Sequence, residues 1–225
     1  MPTIDVSLDS TDGAALIASL TLSFLYLINV RAAPSATRMV FKTASTTLLG
    51  LFAYLRGGNT LIIPALLLGS LGDAFLAWPG DEAFLKGLSS FLVAHLFYIG
   101  LFVRAGGGLE QIWAEPWRQG LAGFMLLLAP VQSSILMPRV NPKLQVPILA
   151  YSSTILVMVL SVLTVDDSII VGGATLFALS DAILSTDEFV LPKDSALRSP
   201  MQHAVWILYY SGQLLIALGY TSAQA

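Results

Sequence analysis

Long apolar runs alternate with short polar segments along nearly the whole chain. Each run has roughly 17 to 21 residues, close to the ~20 residues that a helix needs to cross the hydrocarbon core of a bilayer. The pattern therefore predicts an all-α, polytopic membrane protein with eight transmembrane helices. The runs lie at residues 14–30, 40–55, 60–78, 84–103, 119–137, 144–164, 168–185 and 201–220.

The composition agrees with a membrane protein. Hydrophobic residues make up 56% of the chain and charged residues only 11%, which is too apolar for an ordinary soluble domain. The net charge of -3, without any basic block, argues against a nucleic-acid partner. The expected partner is the lipid bilayer, whereas the sequence carries no signal for an oligomeric state.

Basic residues are unevenly divided between the two ends of the predicted bundle. Lys and Arg are enriched in the cytoplasmic loops of membrane proteins, so we expect the richer end to be cytoplasmic. The chain is then a multi-pass protein of the endoplasmic reticulum or another endomembrane in a eukaryote, or of the inner membrane in a bacterium. The loops after runs one, three, five and seven hold Arg31, Arg38, Lys86, Arg139, Lys143, Lys193 and Arg198, whereas the opposite end holds Arg56, Arg104 and Arg118.

Two aspartates occur in nearly the same apolar context, 108 residues apart. Asp73 lies in the segment LGDAFL and Asp181 in LSDAIL, and the same offset superposes runs one to four on runs five to eight. Parallel duplications of this kind are common in membrane folds. We therefore expect a single domain over residues 1–225 with a possible 4+4 parallel repeat, its halves being 14–103 and 119–220. The alternative is one eight-helix unit with coincident motifs.

These aspartates are candidate functional residues because a carboxylate within a bilayer costs at least ~3 kcal/mol. Both lie about three quarters of the way along runs that point in the same direction, so they share one depth. Lys42, near the start of the oppositely directed second run, reaches a similar depth. Position counting therefore predicts one site, open toward the basic end, that contains Asp73, Asp181 and Lys42. The alternatives are structural aspartates and a lysine that extends to the lipid headgroups.

Other polar side chains share faces of the fourth and eighth runs. In the fourth run, His95 belongs to a stripe with spacings of four, three and four residues, which is one face of a helix. Gln213 belongs to a comparable stripe in the eighth run. Hydrogen bonds between helices are the simpler explanation for such residues. The candidate supporting residues are Lys42, His95, Tyr98, Ser180, Tyr209, Tyr210 and Gln213.

The sequence predicts no metal centre and no cofactor. It has two histidines, no cysteine and no His-Glu-x-x-His pattern, and it lacks the Gly-x-Ser-x-Gly motif of serine hydrolases. What remains is acid/base chemistry by two carboxyl groups. In glycosidases one such group donates a proton while the other stabilises a cationic centre or activates water, and this chemistry suits acid-labile ethers and acetals.

Four motifs follow one another in a fixed order through the predicted spans. They are Gly72-Asp73, then Phe84-x-x-Gly87-Leu88-x-x-Phe91-Leu92-x-Ala94-His95-Leu96-x-Tyr98, then Phe177-x-Leu179-Ser180-Asp181, and finally Tyr209-Tyr210-x-x-Gln213. Together, from about residue 41 to 217, they resemble the YhhN-like lysoplasmalogenase family. The chain departs from the family pattern at Thr43, where a proline is common, and at Asp187, where an asparagine is common.

The resemblance implies hydrolysis of the vinyl ether bond of lysoplasmalogens to a fatty aldehyde and glycerophospho-ethanolamine or glycerophospho-choline. Asp73 and Asp181 would then be the acid and the stabilising anion or base, in an order that the sequence leaves open. Two other classes are alternatives. A proton-coupled transporter of a lipid or small molecule also uses buried carboxyl groups, and a non-catalytic membrane scaffold would use the same fold without chemistry.

Overall fold

A computed structural model describes residues 10–222, and the backbone of this part of the chain is helical without any strand. The all-α class predicted from the sequence is confirmed for these residues. The helices are α1 (Thr11–Ile28), α2 (Ala36–Leu55), α3 (Ile62–Leu76), α4 (Asp81–Ala105), α5 (Glu110–Ala114), α6 (Pro116–Leu136), α7 (Pro142–Val162), α8 (Ser168–Phe189) and α9 (Arg198–Ser222), with a 3-10 turn at Met137–Arg139.

Each predicted apolar run coincides with one long helix, and α5 is an additional short helix in the loop before α6. Side-chain caps fix several of the starting points. Ser10 accepts a hydrogen bond from the backbone N of Gly13 (3.1 Å), and Ser35 accepts one from the backbone N of Arg38 (3.2 Å). Such caps satisfy N–H groups that have no partner within the first turn of a helix.

Five of the helices, α1, α4, α6, α7 and α8, are long and apolar enough to cross a membrane by length and composition. The protein is therefore an integral, multi-pass membrane protein. α3 is apolar but has only 15 residues. α2 and α9 are long but more polar, since α2 carries Lys42 and several hydroxyl side chains, and α9 carries Gln202, His203 and Gln213.

The first four helices pack in sequence, and α8 packs closely along α9. The halves of the chain are joined mainly by α4 with α7 and by α2 with α9, and α9 also contacts α1 and α3. Glycines allow the close approach of α8 and α9. A Cβ atom on Gly173 would lie 2.8 Å from the carbonyl oxygen of Gly212, so only a residue without a side chain fits there. α6 packs more loosely, and its apolar side chains Phe124, Leu127 and Val131 are exposed, as expected for a lipid-facing helix.

Candidate active site

A cavity of about 730 Å³ lies among the helices and opens at the end formed by the loops after α1, α3 and α8. This is the end that the distribution of basic residues marked as the richer one. Its volume falls within the roughly 300–1,000 Å³ typical of small-molecule sites. Asp73, Asp181 and Lys42 all line it, so the structure brings together the three ionisable groups that position counting placed at one depth.

Asp73 on α3 has a side chain only 1% exposed, and three groups compensate its charge. Lys42 Nζ lies 3.1 Å from Oδ1. The hydroxyl groups of Thr46 and Tyr209 donate hydrogen bonds to Oδ2, at 3.0 and 2.7 Å. Thr46 is one helical turn beyond Lys42, so α2 presents both to the same carboxyl group. A buried carboxylate with one ammonium and two hydroxyl donors is a well-compensated anion.

Gly72 sets the position of Asp73 relative to α4. A Cβ atom at Gly72 would lie 2.6 Å from two ring carbons of Phe91, which real side chains do not tolerate. The missing side chain lets α3 press against the Phe91 ring, which in turn contacts Tyr209 edge to face at 5.8 Å. The glycine of the first motif thus has a packing function.

Asp181 on α8 is half-buried and has a different environment. The hydroxyl group of Tyr151 donates a hydrogen bond to Oδ2 at 2.6 Å. No basic side chain in residues 10–222 lies within ion-pair distance of this carboxyl group, in contrast to Asp73. Asp181 nevertheless lines the same cavity as Asp73 and Lys42. The site therefore holds one ion-paired carboxyl group and one carboxyl group without a cationic partner.

Tyr151 is a site residue that the sequence analysis missed. A signal existed in the proposed repeat: Asp73 takes two of its three partners from the preceding helix α2, so Asp181 is expected to take one from its preceding helix, α7. Ser153 and Thr154, which lie 108 residues after Ser45 and Thr46, do not contribute to the site, since both donate to backbone carbonyl groups of their own helix four residues earlier.

His95, Tyr98 and Gln213 are fully buried and lie behind the cavity rather than in its wall. The Tyr98 hydroxyl group donates a hydrogen bond to Gln213 Oε1. His95 Nδ1 lies 2.6 Å from the carbonyl oxygen of Phe91 and must donate, because a carbonyl group only accepts. The His95 ring packs edge to face on Tyr151 at 5.3 Å. These residues support the tyrosines that hold the two aspartates and do not themselves face a ligand.

The hydroxyl groups of Tyr210 and Ser180 are hydrogen-bonded to other groups of the protein. The Tyr210 hydroxyl group lies 2.6 Å from Ser19 Oγ, and Ser19 donates its own proton to the carbonyl oxygen of Ser45, so Tyr210 donates to Ser19. This chain of bonds ties α9 to α1 and α2 outside the cavity. Ser180 lines the cavity, but its hydroxyl group donates to the carbonyl oxygen of Phe177 at 2.7 Å.

Within residues 10–222, no group of three or more His, Asp or Glu side chains is placed to hold a metal ion. The donor set of the cavity is instead a pair of carboxyl groups with hydroxyl and ammonium partners. Metal-free chemistry stays a prediction, which the chelation experiment below tests.

The fold and the cavity define a polytopic membrane protein in which two carboxyl groups line one cavity. Residues 37–220 match the model of the YhhN family, and the chain belongs to that family. This confirms the resemblance noted in the sequence motifs.

Three curated relatives are named as lysoplasmalogenases. The chain is 32% identical over 167 residues to lysoplasmalogenase TMEM86B of Homo sapiens, an alignment that covers 72% of this chain and 64% of the human protein. It is 34% identical over 193 residues to TMEM86B of Sus scrofa, covering 84% and 73%, and 30% identical over 169 residues to lysoplasmalogenase of Mycobacterium tuberculosis, covering 71% and 59%. The chain thus spans roughly two thirds of the length of these relatives. No solved structure matches.

Proposed function

We propose that this protein is a lysoplasmalogenase, which hydrolyses the vinyl ether bond of a lysoplasmalogen to a fatty aldehyde and glycerophospho-ethanolamine or glycerophospho-choline without a metal ion. The observation that carries the proposal is that Asp73 and Asp181 line one cavity in two different electrostatic environments. The names of the curated relatives support the same reaction. They do not favour the alternative of a proton-coupled transporter.

The lining of the cavity suits a single-chain lipid. Apolar side chains of α6 and α7 form its inner wall, among them Met125, Leu128, Ile148 and Ile155. Charged and polar side chains surround its mouth. A lysoplasmalogen would place its alkenyl chain along α6 and α7 and its headgroup at the mouth, which brings the vinyl ether to the depth of the two carboxyl groups.

The contacts of the two aspartates assign their roles in this proposal. Asp73 is the anion, because Lys42 and two hydroxyl donors compensate a negative charge there. Asp181 is the proton donor, because it is half-buried without a cationic partner and a neutral carboxyl group is the form that such surroundings favour. Tyr151 donates to one oxygen of Asp181 and so orients the carboxyl group toward the substrate.

The reaction then proceeds in three steps. Asp181 transfers its proton to the outer carbon of the vinyl ether double bond, which leaves an oxocarbenium ion that the Asp73 carboxylate stabilises. Water adds to the cationic carbon and returns a proton to Asp181, giving a hemiacetal. The hemiacetal collapses when its hydroxyl proton leaves and the glycerol oxygen is protonated, which releases the aldehyde. One water molecule is consumed, and both carboxyl groups return to their initial states.

We also propose that all eight long helices cross the membrane as one domain made of two related halves. Two observations support the repeat. The two largest contacts between the halves are equivalent under the repeat, since α4 packs on α7 while their counterparts α9 and α2 pack on each other. Asp73 and Asp181 also each accept a hydrogen bond from the helix that precedes their own.

The proposed function is tested with purified, detergent-solubilised protein and lysoplasmenyl-ethanolamine in the presence of a chelator. Fatty aldehyde release is followed for the wild type, Asp73→Asn and Asp181→Asn, with thermal unfolding as a check on folding. We expect aldehyde from the wild type alone. Full turnover by either folded variant would refute the assignment, and restoration of chelator-inhibited turnover by added zinc would refute metal-free chemistry.

A further inference from the structure

Asp187 lies at the mouth of the cavity and has an unused hydrogen-bond acceptor. Its side chain is only 5% exposed. Oδ2 accepts a hydrogen bond from Gln202 (3.1 Å) and lies 3.7 Å from Arg198 Nη1, whereas Oδ1 is buried with no hydrogen-bond partner in residues 10–222. Leaving a buried carboxylate oxygen without a donor is energetically unfavourable, so such an atom points to a ligand that supplies one.

Arg38 lies at the same mouth of the cavity and lacks a negatively charged partner. Its guanidinium group donates to neutral acceptors, namely the carbonyl oxygens of Val30 and Ala77 and the hydroxyl group of Tyr26. Within the described residues no carboxylate pairs with it, and its Nε is buried without a partner. The mouth therefore offers an uncompensated cation and a carboxylate oxygen that lacks a donor, which matches a zwitterion.

The depths of these groups match the spacing of a phosphoethanolamine headgroup. Asp187 follows Asp181 by six residues on α8, a rise of about 9 Å, and Arg38 precedes Lys42 by four residues on α2, a rise of about 6 Å. In the lipid, nine bonds separate the vinyl ether oxygen from the ammonium nitrogen and five separate it from phosphorus. These bonds span roughly 11 and 6 Å, since an extended chain advances about 1.2 Å per bond.

We propose that Asp187 Oδ1 binds the primary ammonium group of an ethanolamine headgroup while Arg38 binds its phosphate, so that this protein prefers ethanolamine lysolipids over choline lysolipids. The proposal rests on the proposed function for the class of lipid, and it adds the headgroup. A primary ammonium group has three N–H donors, one of which donates to Oδ1. The trimethylammonium group of choline has none and leaves the carboxylate oxygen unsatisfied.

The test measures binding rather than turnover. Lysolipids with a saturated ether chain have no vinyl ether to cleave, so their affinities remain measurable even if the protein does not hydrolyse lysoplasmalogens. Binding is measured for headgroups with zero, one, two and three N-methyl groups. We expect affinity for the wild type to fall stepwise, with at least about tenfold between ethanolamine and choline, since hydrogen bonds to charged groups contribute about 1.5–3 kcal/mol. Equal affinity across the series overturns the proposal without any variant.

Three variants locate the effect. In Asp187→Asn the ethanolamine preference is expected to shrink to within about twofold, and a preference that survives this change overturns the assignment to Asp187. Arg38→Gln is expected to weaken both headgroups by the same factor, because both carry the phosphate; an effect on one headgroup alone contradicts its role. Glu82→Gln is the matched control, because Glu82 is an exposed carboxylate outside the cavity whose partner is Lys86 (2.6 Å). The ethanolamine preference should be unchanged in this variant.

Discussion

Replacing Lys42 by methionine removes the positive charge from Asp73 while keeping most of the volume of the side chain. Lys42 Nζ lies 3.1 Å from Asp73 Oδ1, and it is the basic group within ion-pair distance of that carboxylate in residues 10–222. At this distance, with an effective dielectric constant of about 20, the attraction amounts to about 5 kcal/mol. Desolvation of the 12% exposed lysine offsets part of it, which leaves roughly 3 kcal/mol.

Without Lys42, the buried Asp73 carboxyl group is expected to take up a proton rather than remain charged, so the oxocarbenium ion loses its stabilising anion. A loss of roughly 3 kcal/mol from the transition state corresponds to a fall in kcat of about 10²-fold. The measurement is initial-rate aldehyde release from saturating lysoplasmenyl-ethanolamine. Lys86→Met is the matched control, because Lys86 also pairs with a carboxylate but on the exposed surface of α4.

The double variant Lys42→Met/Asp73→Asn separates a functional pair from two independent residues. If the lysine acts only by keeping Asp73 charged, adding Lys42→Met to Asp73→Asn should lower kcat by less than about threefold. The double variant should also unfold at a higher temperature than Asp73→Asn alone, since the latter leaves a buried ammonium group unpaired. Wild-type turnover in folded Lys42→Met, or fully additive losses in the double variant, would refute the reasoning.

Two further variants examine the tyrosine and glycine that position the carboxyl groups. Tyr151→Phe removes the 2.6 Å hydrogen bond to Asp181 and is expected to lower kcat about tenfold with little change in KM. Tyr220 is a buried tyrosine outside the cavity, so Tyr220→Phe should leave kcat unchanged. Equal kinetics for the two variants would contradict the role of Tyr151. Gly72→Ala forces the Phe91 ring to move and is expected to lower the free energy of unfolding by about 1–3 kcal/mol. Gly123→Ala on α6, where a Cβ atom meets nothing within 4 Å, should not destabilise the protein. The unfolding temperatures of the two variants are measured in detergent, and equal values would refute the packing argument.

The positions of the helices could be predicted from the sequence because the membrane simplifies the problem. A helix that crosses hydrocarbon needs a nearly continuous apolar run, and each of the eight runs coincides with one long helix. α5 could not be predicted in this way, because a five-residue helix in a loop carries no such run. Helix boundaries also moved toward caps such as Ser35, which lies in a polar segment outside the predicted run at 40–55.

The meeting of Asp73, Asp181 and Lys42 was predictable for a related reason. If neighbouring helices cross the same membrane, a position along a helix gives a depth, and in the structure the three side chains do line one cavity. Rotation of a helix about its axis is not given by depth. His95 and Gln213 lie on the expected periodic stripes of α4 and α9, but the rotation of these helices places both side chains behind the cavity rather than in its wall.

The groups at the mouth were the hardest to assign from sequence. Arg38 was counted only as a loop charge and Asp187 only as a departure from a family pattern. Their proposed roles rest on missing hydrogen-bond partners, at Arg38 Nε and Asp187 Oδ1. Whether a buried atom has a partner depends on how the chain folds around it, and the sequence does not give that.

Proton transfer from Asp181 to carbon is the central claim, and isotopic labelling tests it most directly. The wild type is incubated with lysoplasmenyl-ethanolamine in D₂O, and the aldehyde is reduced as it forms to prevent later exchange. The mechanism predicts a single deuterium on the carbon next to the aldehyde carbon, and no product from Asp181→Asn. Aldehyde without deuterium at that carbon, or labelled product from folded Asp181→Asn, would contradict it.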